Sequence, residues 1–574
     1  MAPKDSEIGP SSPSSNHRET KSISKDEDTL KLAEMGYTQD MKRNFSVLSL
    51  VGVGFSLLNS WFGISASLIT GIYSGGTVLT IYGIPLIAFI TTCVGVTLSE
   101  LASAMPSAGG QYFWANELAP RKYANFASYL TGWLAWVGSI FSSASVALGV
   151  GAAGVGMWQL AHPDLYVIQM SFAGSLSTSP VSNFSHSRHI IKSCELLCLI
   201  SKNSVPQPWH TVVAYEVINL SAYPFNCVGK VLPRVATVSL YISLVSFMVI
   251  LITVPATAPT HSDVKFVFAT FVNSTGWSSD SLAFIVGLIN PNWVFSCLDA
   301  VTHMAEEIGS PEKAIPIAIM GTVAIAFVTS WFYCISMFFS ISDLGPLLNT
   351  ATGVPILELY YQALRNKAGA ITLESLVFAT GIGCLIASHT WQSRLCWSFA
   401  RDRGLPGHQY LAKVHPQLDV PLIAHTVSCF IVALLGLLYL GSSTAFNSMV
   451  AACIVLIYIS YAIPITTLLI KGRNNIKRGP FWLGTIGHLC NWIVLGWTLF
   501  TFVMFSLPSR YPATADCKLN SFNYSAVRNR TPTYIYLTLS DELHFRGVRC
   551  GHYGSNCRLV FSWEAILSWP VRPP

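Results

Sequence analysis

Charged side chains are scarce in this sequence of 574 residues, of which Asp, Glu, Lys and Arg make up 11%. Soluble domains carry about 25%, and a soluble enzyme of several domains would spread its apolar residues at helical or strand period. Here the apolar residues, 51% of the chain, form runs of about 20, the length that a membrane-spanning helix needs. The composition therefore excludes an ordinary soluble domain and predicts a polytopic membrane protein.

Catalytic patterns are also missing. No nucleophile, phosphate-binding loop or pair of catalytic carboxylates recurs on a soluble segment, so we expect neither an enzyme nor a cofactor. The net charge of +6 is small for this length and gives no sign of nucleic-acid binding. Residues 1–44 lack an apolar run and are rich in Ser and Pro, so we expect a disordered tail without a signal peptide.

Eleven apolar runs follow this tail. Basic residues concentrate in alternate loops, from Arg121 and Lys122 to KGRNNIKRG at 471–479, and the positive-inside rule then predicts a cytoplasmic N-terminus. The runs lie at 45–71, 76–104, 124–158, 209–229, 233–256, 282–304, 315–340, 374–398, 421–440, 445–470 and 484–507.

Two of these spans contain residues that weaken a helix. The first carries NSWFGISAS at 59–67, and the sixth carries Asn290-Pro291-Asn292 followed by Asp299 and His303. Such interruptions are tolerated in a membrane only where the freed backbone groups meet protein, water or a ligand. Broken spans five apart predict an inverted five-plus-five repeat with the substrate site between them. Polar residues that merely hold helices together are the alternative.

Four blocks of sequence carry a resemblance to a known family. They are NSWFGISASLITGIYSGG at 59–76, LSELASAMPSAGGQYFWANELAPRKYANFASYLTGWLAW at 98–136, CLDAVTHMAEEIGSPEKAIP at 297–316 and SRLCWSFARDRGLPGH at 393–408. Together they resemble the amino acid/polyamine/organocation (APC) transporter superfamily, and within it the fungal amino acid/choline branch, which includes GABA and choline permeases. The resemblance covers about residues 40–164 and 205–515.

This resemblance implies an all-α, LeuT-like fold of twelve spans, of which eleven are recognisable here. It implies uptake of a small amino acid or quaternary amine at the plasma membrane, driven in most such fungal carriers by protons. The partners expected are therefore the substrate, the proton and membrane lipid.

The resemblance also implies substrate-binding residues. On the first span, an unwound segment whose backbone receives the substrate carboxylate aligns with Phe62, Gly63, Ile64, Ser65 and Ala66. On span six, the facing wall is expected at Phe295, Cys297, Leu298, Asp299 and Ala300. Phe295 or Trp293 would supply the aromatic ring that closes over the ligand in this family.

Carboxylates inside spans are candidates for proton coupling. A charged side chain in the membrane costs free energy, so such a residue usually indicates a functional site. Asp299, at the break of span six, is the first candidate and Glu216 is the second. A helix cap is the alternative role for Asp299. His389 is expected to be a core residue with its hydrogen bonds satisfied.

Three further acids, at the predicted inner ends of spans, are expected to anchor salt bridges of an inner gate. They are Glu100, Glu306 and Glu307.

The sequence leaves two classes of substrate open, an amino acid such as GABA and a quaternary amine such as choline. GABA needs donors for its carboxylate and an acid for its amine, whereas choline needs an aromatic cage. The aromatic residues available for a cage are Trp61, Phe62, Trp133, Trp136, Trp293 and Phe295. Aromatic residues are common in membrane proteins, so we favour a GABA-like amino acid slightly, with choline as the alternative. A transporter-fold nutrient sensor and an inactive product of a mis-spliced gene are the other open alternatives.

Residues 166–204 interrupt the family pattern, which runs from HPDL at 162–165 to VPQPWH at 205–210. Leu165-Tyr166-Val167 can be encoded with GTATGT, a common fungal splice donor, and removal of the segment keeps the reading frame. We interpret 166–204 as a translated intron, and 516–574 as a mis-spliced, frame-shifted tail in place of the twelfth span. The transporter domain is then 45–515.

The segment 183–198 holds two histidines and two cysteines that suggest a zinc ligand set. Their spacing matches no common zinc motif, so we expect no metal site there or elsewhere. The ligands would have been His186, His189, Cys194 and Cys198.

Overall fold

The architecture is helical throughout the residues that the structure describes. This computed structural model describes residues 27–162, 208–348, 350, 352–440 and 445–508. The suspected intron at 166–204 and the suspected frame-shifted tail at 516–574 lie outside them. The described part contains no strand, although Phe45 and Ile308 form an isolated backbone bridge.

The α-helices are 27–34 (α1), Val47–Leu58 (α2), Ser60–Ala66 (α3), Leu68–Ala104 (α4), Gly110–Leu118 (α5), Arg121–Ala161 (α6), Pro208–Ala222 (α7), Leu232–Thr257 (α8), Val264–Ala269 (α9), Asp280–Gly287 (α10), Ile289–Val294 (α11), Pro311–Phe339 (α12), Leu344–Leu348 (α13), Pro355–Leu364 (α14), Lys367–Arg401 (α15), His408–Leu411 (α16), Leu422–Gly436 (α17), Ala445–Lys471 (α18) and Thr485–Met504 (α19). The 3₁₀ segments are Tyr223–Asn226, Leu298–Glu307, Leu437–Leu440 and Arg473–Asn475.

Ten helices in this part of the chain are long and apolar enough to cross a membrane. The prediction of an all-α, polytopic membrane fold is therefore confirmed. The predicted run at 209–229 is not among the ten, because α7 has 15 residues and gives way to the 3₁₀ turn Tyr223–Asn226. Pro224 lies in that turn, where it removes a backbone donor.

The first span is broken, but not where the resemblance implies. Asn59 separates α2 from α3 with a φ of 25°, in the positive-φ region that asparagine tolerates better than most residues. The segment 62–66, expected to be unwound, is helical within α3. The Gly63 backbone N–H donates to the Asn59 carbonyl over 3.0 Å, so helical hydrogen bonding resumes directly after the break. Gly76, with a φ of 64°, then separates this span from the second inside α4.

The sixth span is broken at Phe295–Cys297 rather than at Asn290-Pro291-Asn292, where the sequence predicts the interruption. Residues 290–292 are helical in α11. Pro291 falls among the first four residues of that helix, whose N–H groups have no helical partner, so proline costs little there. Cys297 adopts a left-handed conformation with a φ of 70°.

A 3₁₀ helix ten residues long, Leu298–Glu307, continues span six beyond its break. Runs longer than three or four residues are uncommon for this helix type and often mark a hinge. All ten of its residues are buried.

The two broken spans lie at the centre of the bundle. In Val47–Ala66, 83% of the most apolar window is buried, and in Asp280–Glu307 72% is, against 33% in Leu232–Thr257. The last of these helices therefore turns most of its surface to lipid, while the broken spans face other helices.

The sequence predicts disorder for residues 1–44, but residues 27–44 are ordered. Residues 27–44 follow the surface formed by the ends of spans six and eight, and Leu32, Tyr37 and Met41 are buried there. The Tyr37 hydroxyl donates to the Asp402 carboxylate over 2.7 Å. Apolar burial and these polar contacts give the segment a fixed position, which its composition alone does not suggest.

An ion pair also holds this segment. Lys31 Nζ lies 3.1 Å from Glu312 Oε1 at the start of α12. Burial alone would lower the pKa of the Lys31 ammonium, but the hydrogen bond and charge of Glu312 outweigh it and raise that pKa above its usual value.

Candidate functional site

A small cavity lies between the two broken spans and helices α6 and α15. None of the described residues on its wall carries a charge. They are Leu57, Leu58, Phe62, Gly63, Ser142, Val146, Trp293, Val294, Ser296, Cys297 and Cys384.

Three of the residues expected to bind substrate line this cavity: Phe62, Gly63 and Cys297. The other seven do not appear on its wall. On the first span, Ser65 instead donates to the Trp61 carbonyl over 2.9 Å and contacts the Tyr333 hydroxyl at 2.6 Å. The remaining six are Ile64, Ala66, Phe295, Leu298, Asp299 and Ala300.

Of the aromatic residues proposed for a cage, Phe62 and Trp293 line the cavity. Trp61 points elsewhere, because its Nε1–H donates to Ser243 over 2.9 Å. Trp133 and Trp136 pack on each other with ring centroids 5.6 Å apart and are not on the wall.

Gly63 lets the two broken spans approach closely. A Cβ atom at this position would lie 2.3 Å from Val294 Cγ1, well inside van der Waals contact. An added methyl group must therefore push spans one and six apart at the wall of the cavity.

We expect Gly63→Ala to destabilise the protein by about 1–3 kcal/mol, the usual cost of overpacking, read as a lower midpoint of thermal unfolding in detergent. Val294→Ala in the same chain removes the clashing atom and is expected to restore most of the loss. Gly321→Ala is the control, because its Cβ would meet only Val51, at 4.0 Å. An equal loss in both glycine variants would contradict the assignment of close packing at Gly63.

Asp299 is held by three side chains and does not cap its helix. Its carboxylate accepts from the Tyr461 hydroxyl over 2.5 Å and from Trp391 Nε1 over 3.1 Å. Its Oδ2 also lies 3.3 Å from His303 Nε2. Both Asp299 and His303 are buried, so these contacts exclude water.

His303 lies between the Asp299 carboxylate and a backbone carbonyl. His303 Nδ1 lies 2.7 Å from the Ala108 carbonyl, and a carbonyl only accepts, so Nδ1 carries a hydrogen. Nε2 then faces the carboxylate of Asp299. A hydrogen on either the imidazole or the carboxyl would make this contact a hydrogen bond.

Glu216, the second coupling candidate, is not brought to this site. It lies on α7, which packs mainly on α6 and also on α15 and α17, and its carboxylate lies beside Gly436 of α17. The partners of Asp299 come instead from α15, α18 and its own 3₁₀ helix. Glu216 is also only partly buried.

The three acids expected at an inner gate are each paired with an arginine, as predicted for salt bridges. The pairs are Glu100–Arg473 at 2.7 Å, Glu306–Arg401 at 2.7 Å and Glu307–Arg394 at 2.9 Å.

Side chains of helix α15 contact the cavity, Asp299 and the ion pairs in that order along the helix axis. Cys384 lines the cavity, Trp391 reaches Asp299, and Arg394 and Arg401 form ion pairs further along. Seven residues separate Cys384 from Trp391, two helical turns or about 10 Å. The Asp299–His303 pair therefore lies between the cavity and the layer of ion pairs.

Comparison with known proteins gives consistent matches over most of the chain. A family model described as "Amino acid permease" matches residues 45–527. The "Choline transporter" of Saccharomyces cerevisiae is 49% identical over 488 residues, 85% of this chain and 79% of that protein. The "7-keto 8-aminopelargonic acid transporter" of the same yeast is 31% identical, over 84% of this chain and 89% of its own length. "Amino-acid permease BAT1" of Arabidopsis thaliana is 30% identical, over 88% and 92% respectively.

Proposed function

The chain belongs to the amino acid permease family, and from this membership we propose that it imports a small quaternary amine of the choline class across the plasma membrane, driven by protons. The family and its relatives make it a membrane transporter of amino acids or organocations and not an enzyme. The proposal of a quaternary amine as the substrate rests on the cavity between the broken spans.

The wall of the cavity suits a cation that donates no hydrogen bonds. The positive charge of a quaternary ammonium spreads over its methyl groups, which are attracted to aromatic faces such as those of Phe62 and Trp293. A primary ammonium in the same place would need an acid, and an unpaired buried charge is costly. Asp299 is two residues from the wall residue Cys297, but both of its oxygens already have partners.

A GABA-like amino acid, which the sequence alone favours slightly, is the second candidate. The hydroxyls of Ser142 and Ser296 lie on the cavity wall and could donate to a carboxylate. We rank it below choline because no described residue of the wall offers an acid for the amine, and because the relative at 49% identity is a choline transporter.

The Asp299–His303 pair is our candidate for the coupling site. The two side chains are 3.3 Å apart, are buried, and stand between the cavity and the ion pairs. A change in the winding or position of its 3₁₀ helix would alter the 3.3 Å contact and with it the affinity for the proton. Tyr461 and Cys297 are the other titratable side chains that face Asp299.

We place the N-terminus and the ion-pair layer on the cytoplasmic side. The run at 471–479, which is rich in lysine and arginine, and the ordered segment at 27–44 both lie at that end of the bundle. The positive-inside rule supports this orientation.

Uptake of radiolabelled choline and GABA by cells without endogenous uptake of either tests the substrate and the driving force. We expect saturable choline uptake that a protonophore abolishes and that excess unlabelled GABA does not reduce. The cDNA should come from the mature transcript, because its sequence also decides whether residues 166–204 are translated. GABA uptake without choline uptake would reverse the ranking, and no uptake of any small amine or amino acid would favour the nutrient sensor.

Phe62→Leu is expected to raise the KM for choline about 2- to 30-fold, which corresponds to the loss of a cation–π contact of about 0.5–2 kcal/mol. Phe295→Leu is the matched control: Phe295 is also a buried phenylalanine of a broken span, but it is not on the cavity wall. A KM raised equally by both changes would indicate loss of packing rather than loss of a ligand contact.

A further inference from the structure

A second buried cluster lies outside the cavity, where His389 of α15 meets His425 and Cys429 of α17. One potential ligand atom from each residue lies within 4.8 Å of the other two, and all three residues are buried. We propose that these three side chains form a binding site for a single soft, monovalent metal ion of the Cu(I) class.

His389 is the member of the cluster with unmet hydrogen bonds. Its side chain has no exposed surface, and neither ring nitrogen has a hydrogen-bond partner in the part of the chain that the structure describes. The expectation of a satisfied core histidine is therefore wrong. A buried imidazole left in this state costs free energy, and coordination of a metal ion by one of its nitrogens would recover that cost.

His425 is held in the tautomer that a metal ligand needs. Its Nε2 lies 3.1 Å from the Tyr223 carbonyl, which can only accept, so Nε2 carries the hydrogen. The Nδ1 lone pair then points into the cluster, 3.5 Å from Cys429 Sγ. Histidine ligands of metals commonly donate their second N–H to a backbone carbonyl in this way.

Cys429 would supply the thiolate. It stands four residues after His425, which puts the two side chains on one face of α17. Gln392 Nε2 donates to its sulfur over 3.5 Å, a contact that stabilises negative charge there. Metal binding displaces the thiol proton, because the thiolate is the ligand.

Charge and ligand number select the metal. Two neutral imidazoles and one thiolate bring Cu(I) to a net charge of zero, whereas Zn²⁺ would keep one positive charge and needs a fourth ligand. A buried net charge is costly, and the positive charge of Arg394 already acts on His425. Thiolate and imidazole ligands suit Cu(I).

The cluster must contract to bind an ion. Ligands at about 2.0–2.3 Å from one metal stand roughly 3.5–3.8 Å apart. His425 Nδ1 and Cys429 Sγ already have this spacing, so it is the His389 nitrogen that has to approach them, by up to roughly 1 Å. Rotation of the three side chains provides this movement. The bound ion would join α15 to α17.

Purified protein, loaded with Cu(I) in ascorbate and desalted, tests the site by its copper content. We expect wild type to retain one equivalent more than His389→Phe or Cys429→Ser. Cys396→Ser, which removes a buried cysteine from the same helix as His389, should retain as much as wild type. Copper should also raise the midpoint of thermal unfolding of wild type but not of His389→Phe, because an ion that binds only the folded state stabilises it.

Two results would overturn the proposal. Equal copper contents in wild type, His389→Phe and Cys429→Ser would exclude the site. Retention of Zn²⁺ in preference to Cu(I), lost in the same variants, would exclude the Cu(I) class. Thermal unfolding of each variant without metal checks that the fold has survived the substitution.

Discussion

Replacing Asp299 with asparagine is expected to lower proton-driven uptake at least about 100-fold while substrate binding changes little. The amide keeps the shape of the side chain but cannot share a proton with His303 across the 3.3 Å contact. A 100-fold loss corresponds to about 2.7 kcal/mol of activation free energy. Uptake rate with and without a proton gradient, together with equilibrium binding of radiolabelled choline to membranes, separates the two effects.

Glu216→Gln is the matched control, because Glu216 is the other intramembrane acid that the sequence suggests for coupling. It stands on α7, with its carboxylate beside Gly436 of α17, and we expect less than about a threefold change, within the range of surface substitutions. Loss of proton-driven uptake in Glu216→Gln, with Asp299→Asn still active, would overturn the assignment of the coupling site.

Arg394→Met is expected to destabilise the protein by about 3–5 kcal/mol, because it leaves the Glu307 carboxylate buried without its partner. The side chains of Arg394 and Glu307 are 1% and 4% exposed, so water cannot replace the lost interaction. The double variant Arg394→Met/Glu307→Gln removes both charges and should recover most of the loss. Thermal and denaturant unfolding of wild type, Arg394→Met, Glu307→Gln and the double variant in detergent completes the double-mutant cycle.

Lys31→Met offers the contrasting case. The Lys31 side chain is 45% exposed in its pair with Glu312, and pairs of this kind contribute about 0–1 kcal/mol. If Arg394→Met proved no more destabilising than Lys31→Met, burial would not be the source of the strength of the Glu307 pair.

The sequence was sufficient to predict the membrane fold, the broken spans and the acids that form ion pairs. Long apolar runs, isolated helix-weakening residues and rare charges are local features, so they can be recognised in the sequence without knowledge of the fold. The exact breaks were mispredicted for a physical reason. Pro291 looks like an interruption, yet at the start of α11 it is compatible with a helix, and the left-handed residue is Cys297, a type with no such preference.

Most of the cavity wall carried no signal in the sequence. Ser142, Val146 and Cys384 are ordinary small or apolar residues within unbroken spans, and they meet only because α6 and α15 pack beside the broken spans. The role of His303 likewise depends on the Ala108 carbonyl, which lies 195 residues away in the chain. Contacts between residues so far apart in the chain depend on how the helices pack, and the spacing of residues along the sequence does not reveal that packing.

The ten-residue 3₁₀ helix Leu298–Glu307 would change the length of span six if its winding changed. This helix type rises about 2.0 Å per residue against 1.5 Å in an α-helix. Rewinding all ten residues to α-helical form would shorten the segment by about 5 Å and turn one end against the other by about half a revolution. One end carries the wall of the cavity and the other carries Glu306 and Glu307. A single change of winding would thus draw the ion pairs toward the substrate and rotate Asp299 on the way.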